Sequence, residues 1–160
     1  MALLISVLAY TALQAYDRRE RAVNLLKTVD VLNEVFAAQE ALRFEQGEMN
    51  TALLQSQPVD AKIRADIERL HRASEKALRE THQRSSVEAD GPIPNLSKIV
   101  QSGTAYEKTY AAAMASLGQP QVSRPARLQE DWSLAINDLV AAINLRTRVR
   151  SMYIADASAF

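Results

Sequence analysis

The sequence predicts an all-α fold, an antiparallel up-down-up-down four-helix bundle with a long first helix. Three observations point there. Apolar residues recur at spacings of three and four along four segments. Only 4 glycines and 5 prolines occur in 160 residues, too few for a turn-rich β architecture. The prolines fall at three places, dividing the segments by short connections, which favour antiparallel neighbours.

The first helix is expected to run to about Leu54, with Leu25, Val29, Leu32 and Phe36 as its stripe. Ser56-Gln57-Pro58 ends it, because proline lacks an amide donor and restricts the residue before it. Asp60 is expected in the first turn of the second helix, where a carboxylate meets the positive end of the dipole. That helix covers about 59–85 on Ile63, Ile67, Leu70, Ser74, Ala77 and Thr81. Its other face, from Arg64 to Glu80, carries opposite charges at i, i+4 and reads as a solvated, ion-paired surface. Residues 87–95, with Gly91 and two prolines, form a loop.

The third helix is expected over 96–117, on Ile99, Gly103, Tyr106, Tyr110, Ala113 and Leu117, closed by Gly118 in a left-handed cap. Residues 119–125 hold two more prolines and form the next loop. The fourth helix runs from Ala126 through Leu128, Trp132, Ile136, Leu139, Ile143, Arg146, Val149 and Tyr153, still in phase at Phe160. Gly47 and Gly103 sit in mid-helix, where glycine costs about 1 kcal/mol relative to alanine. Close approach of a neighbouring helix is the commonest compensation.

Composition narrows the function. Hydrophobic residues are 48 % and charged residues 24 %, as in an ordinary globular domain. Lysine plus arginine (19) equals aspartate plus glutamate (19), so no global field points at nucleic acid. The absence of cysteine removes disulfides, thiolate metal sites and cysteine nucleophiles. His71 and His82, the only histidines, stand apart, and neither has a second histidine at i+4, so no metal is expected. With no phosphate loop and no nucleophile elbow, neither an enzyme nor a cofactor is expected.

Residues 1–16 carry no charge, and Asp17-Arg18-Arg19-Glu20-Arg21 follows at once. A spanning helix needs about 20 apolar residues. Residues 1–16 are therefore expected to be the outer part of a membrane-spanning helix or its continuation, with residues 17–160 forming the bundle. The alternative is a buried helix of a soluble bundle. In the up-down topology the first and last helices direct both ends of the chain to one side, the geometry of a module inserted between two spanning helices.

The segment from Ala41 (ALRFEQGEMNTALL) resembles the first-helix signature of bacterial extracytoplasmic four-helix-bundle sensor domains. These stand at the front of methyl-accepting chemotaxis proteins, sensor histidine kinases and diguanylate cyclases. Glu45, Gly47, Ala52 and Leu53 match the pattern, Gln46 replaces its arginine, and the segment from Trp132 (WSLAINDL) is similar to the start of the family's last helix. The resemblance implies a ligand-sensing domain of a transmembrane receptor in the bacterial inner membrane, lying in the periplasm or extracellular space. It also implies homodimerisation, a small molecule or periplasmic protein as stimulus, and an output module beyond this chain. Two other classes compete: a histidine phosphotransfer bundle using His71, and a purely structural or partner-binding bundle.

Continued past Phe36, the first stripe meets Gln39, Arg43, Gln46 and Asn50. Polar groups in succession are costly in a dry core. They are therefore expected to line a distal ligand pocket, with Arg43 offering a planar fork to a carboxylate. Tyr106, Tyr110 and Trp132 should lie at a similar height and wall it. Against this stands a second apolar line, Val35, Leu42, Met49 and Leu53, which would turn Arg43, Gln46 and Asn50 towards a neighbour or water.

Overall fold

The computed structural model describes residues 2–87 and 96–157. Its elements are α1 (Ala2–Leu54), α2 (Ala61–Val87), α3 (Leu96–Ser116) and α4 (Leu128–Ala157), with one 3-10 turn, Gln121–Ser123, before α4. These helices pack together, and no strand occurs among the described residues. The expected loop beyond Val87, with Gly91, lies outside the described residues, as do residues 158–160 and the side chains of Arg146, Val149 and Tyr153. No helix among the described residues is long and apolar enough to cross a membrane.

α1 lies along α2 and along α4, and α3 lies along α4. Contacts such as Glu45–His71 and Glu34–Thr81 fall in opposite chain order on α1 and α2. The same holds for α1 and α4 at Gln39–Asn144 and Asn50–Ser133. Continuing these registers at 1.5 Å per residue, the far ends of α2 and α4 come level with about residues 26–29 of α1. The first half of α1 extends beyond both.

The core-facing line of α1 is Val31, Val35, Ala38, Leu42, Glu45, Met49 and Ala52, at alternating steps of four and three. This corrects the expected stripe: Leu25, Val29 and Phe36 are exposed and Leu32 is half-buried. That stripe begins where α1 has run past its neighbours, so its phase carries no information about the packed half. The competing line, with Val35, Leu42, Met49 and Leu53, is the one that the other helices cover. α2, α3 and α4 present their expected lines, through Ile67, Ser74 and Thr81, through Tyr106, Ala113 and Leu117, and through Leu128, Trp132, Ile136, Leu139 and Ile143. The outer face of α2 carries exposed ion pairs, among them Arg72–Glu68 and Lys76–Glu80.

The ends of the elements differ from expectation in detail. Asp60 precedes α2 and caps it, its carboxylate accepting the Ile63 N–H at 2.9 Å. Gly118 is not left-handed. α3 instead ends in a turn from the Gln119 N–H to the Ser116 carbonyl (2.9 Å), while the Leu117 carbonyl accepts the Val59 N–H at 2.9 Å.

α1 has no basic residue in its last turn, and Arg124 arrives there from the α3–α4 connection. It is buried, and its guanidinium donates to the carbonyls of Ala52 (3.0 Å), Leu53 (2.6 Å), Gln57 (3.1 Å) and Gln119 (3.0 Å). Burial lowers its pKa. The negative end of the α1 dipole and its orphan carbonyls supply the compensation. A backbone bond from the Gln121 N–H to the Ser56 carbonyl ties the same two connections together at 3.2 Å.

Neither Gly47 nor Gly103 marks a close helix approach, since a Cβ added to either would meet nothing within 4 Å. Gly47→Ala is therefore expected to stabilise the protein by about 0.5–1 kcal/mol, the gain in helix propensity. Equilibrium urea unfolding checks it, and a destabilised variant would show a packing role that the backbone does not reveal.

Candidate functional site

Three side chains from three helices converge inside the molecule. Glu45 on α1 is fully buried, on the core line between Leu42 and Met49. Its Oε2 accepts the Tyr106 hydroxyl of α3 at 2.6 Å, and its Oε1 lies 2.9 Å from Nδ1 of His71 on α2. The same Nδ1 is 2.8 Å from the Tyr106 oxygen.

The protons in this triangle can be assigned. Tyr106 spends its one proton on Glu45, so its oxygen faces His71 as an acceptor. A carboxylate offers acceptors alone. Nδ1 must then carry the hydrogen and donate, which leaves Nε2 as the imidazole's open edge.

Aromatic packing fixes the ring. Tyr110 stacks on His71 with centroids 3.5 Å apart and planes within 6°. Trp132 of α4, fully buried, lies against Tyr106 at 5.6 Å and Tyr110 at 6.2 Å. These rings occupy the space between α2 and α3, whose backbones approach less closely than those of the other neighbouring helices.

The surroundings are acidic. Burial opposes protonation of His71, but the hydrogen bond and charge of Glu45, with the charges of Glu107 and Glu75, outweigh it and hold the imidazole pKa above its ordinary value. Burial raises the Glu107 carboxyl, and Glu75 and Glu45 add to that against the opposing charges of His71 and Arg79. The Tyr110 hydroxyl is pushed up to about 12, by burial first and then by Glu45 and Glu68. Burial and Glu45 push Tyr106 far higher still, so its hydroxyl stays protonated. One ligand atom each from His71, Glu75 and Glu107 lies within 4.8 Å of the others, the group best placed to hold a metal among the described residues.

The six expected ligand-binding residues divide. Tyr106, Tyr110 and Trp132 do meet at one height. The two tyrosines have Glu45 and His71 as polar neighbours, whereas Arg43, Gln46 and Asn50 lie elsewhere. Arg43 is exposed and lines an open groove on the outside of α1 with Phe36, Gln39, Glu40 and Phe44. Gln46 and Asn50 are half-buried and spend their amides on Ser133 of α4, at 3.4 Å to its carbonyl and 3.2 Å to its hydroxyl. Gln39 meets Asn144 of α4 at 2.7 Å. The polar run on α1 is thus a seam between two helices, and Gly47, matched to the family motif with Glu45, stands exposed beside it.

No protein-family model, curated protein or solved structure matches this chain.

Proposed function

We propose that this chain is the extracytoplasmic sensing domain of a bacterial transmembrane receptor of the histidine kinase, chemoreceptor or diguanylate cyclase type. In this reading the helices form an antiparallel up-down-up-down four-helix bundle, and α1 and α4 carry the signal towards the inner membrane. The observation behind it is the α1–α4 seam. Gln39–Asn144 and the Asn50 and Gln46 contacts to Ser133 hold the two helices side by side in opposite directions. Polar pairs of this kind can exchange partners at low cost when one helix slides or turns against the other, which a dry apolar seam resists.

A stimulus, either a small molecule or a periplasmic protein, would act by binding one arrangement of the helices better than the other. A second copy of the chain is the natural partner for the exposed residues Leu25, Val29 and Phe36, which share one line of α1. With basic and acidic residues in balance, no global field favours nucleic acid as a partner. Phosphotransfer fits less well, because His71 is nine-tenths buried and ringed by carboxylates that would repel a phosphoryl group.

The test is a chimera in which α1 and α4 join the spanning helices and kinase of a receptor with measurable output. The chain has no cysteine, so Gln39→Cys with Asn144→Cys can be bridged cleanly by a short thiol cross-linker. Bridging is expected to fix the kinase at one level of output, while either single variant leaves it responsive. Output unchanged after complete bridging would exclude a signal passing between these helices.

A further inference from the structure

We propose that His71, Glu75 and Glu107 form a binding site for a divalent transition-metal cation, which would clamp α2 to α3. The proposal stands whether or not the chain belongs to a receptor. Its first support is geometry: His71 and Glu75 share a face of α2 at i, i+4, Glu107 faces them from α3, and one ligand atom from each lies within 4.8 Å of the others.

The second support is the environment of the histidine. His71 is only 9 % exposed, and its Nε2 makes no hydrogen bond, the Glu107 Oε2 standing 3.6 Å away. Its Nδ1 is committed to Glu45 and Tyr106, so the unprotonated ring directs a lone pair from Nε2 into the cluster. A carboxylate on the far nitrogen is the usual device for orienting a metal-binding histidine and raising its basicity. The stack with Tyr110 holds the plane of the ring.

The dimensions suit a small cation. Bonds of about 2.0–2.1 Å in a tetrahedron place neighbouring ligand atoms roughly 3.4 Å apart. The Nε2–Glu107 separation of 3.6 Å is close to that. Glu75 and Glu107 have side chains 34 % and 51 % exposed, free to swing inwards. Glu75 also meets Arg79 at 3.5 Å, a surface pair worth little that a cation would displace. Imidazole with two carboxylates favours zinc and its neighbours over magnesium or calcium, which prefer all-oxygen sites.

The experiment titrates the full chain with zinc chloride by calorimetry, then with cobalt chloride by visible absorption. Wild type is expected to bind one zinc per chain and to show the intense bands of four-coordinate cobalt, while magnesium gives no signal. Glu107→Gln and Glu75→Gln should each weaken binding by about tenfold or more, and Glu45→Gln by a similar factor through the ring it orients. Glu68→Gln, on the same helix outside the cluster, should leave binding unchanged. Circular dichroism confirms that each variant is folded. Zinc uptake that survives loss of both Glu75 and Glu107, or absence of one-to-one binding by wild type, overturns the site.

Discussion

His71→Ala is expected to destabilise the protein by about 3–5 kcal/mol, read by urea unfolding in the presence of a chelator. The alanine removes the imidazole that donates to a carboxylate with no exposure to solvent and leaves Glu45 with the Tyr106 hydroxyl alone. A buried charge stripped of its partner costs more than the pair contributed. The sharper prediction is a rescue. Adding Glu45→Gln should recover about 1 kcal/mol or more, because the amide oxygen still accepts from Tyr106 and the charge is gone. A single variant within about 1 kcal/mol of wild type, or a double variant weaker than the single, would show that the two side chains are not coupled as their 2.9 Å contact implies.

Trp132→Ala should cost a comparable amount, about 3–5 kcal/mol, through the cavity left between Tyr106, Tyr110 and Ile136. The indole is fully buried, the largest such side chain in the core. Its Nε1–H has no hydrogen-bond partner, which already holds back some of the gain from burying the ring. Trp132→Phe removes that orphan donor with less loss of volume and should retain more than half of what alanine loses. Because Trp132 is the protein's one tryptophan, the alanine variant is followed by circular dichroism rather than fluorescence. If phenylalanine proves as damaging as alanine, the indole nitrogen has a partner, such as a bound water, that matters.

Much of the fold was legible because α2, α3 and α4 bury the middle of their apolar lines against neighbouring helices. Tyr106, Trp132 and Ile67 could be assigned to the core from spacing alone. α1 misled because it is longer than the helices beside it. Leu25 and Val29 look like the start of a core stripe, but they lie at or beyond the level where the described helices beside α1 end, so little sets the phase there. A line chosen from the packed half alone would have run Leu42, Glu45, Met49, and a glutamate on that line is itself the signal for a buried polar centre.

His71 was harder to read. It stands one residue from the α2 stripe, and its partners are 26 and 35 residues away in sequence. A search for a second histidine on one helix passes over a group shared between two helices. Gln46 and Asn50 show the converse: polar residues on an otherwise apolar line can serve a neighbouring helix, with Ser133 supplying the missing acceptors.

The clasp formed by Arg124 makes one pole of the molecule a fixed pivot. From Leu53 to the level where α4 ends is roughly 27 residues, about 40 Å of helix at 1.5 Å per residue. A tilt of about three degrees at the clasp would sweep α1 at that level through about 2 Å, the size of the helix shifts by which proteins switch state. Leverage of this sort lets a disturbance too small to break any contact near the anchored pole become a readable displacement at the other.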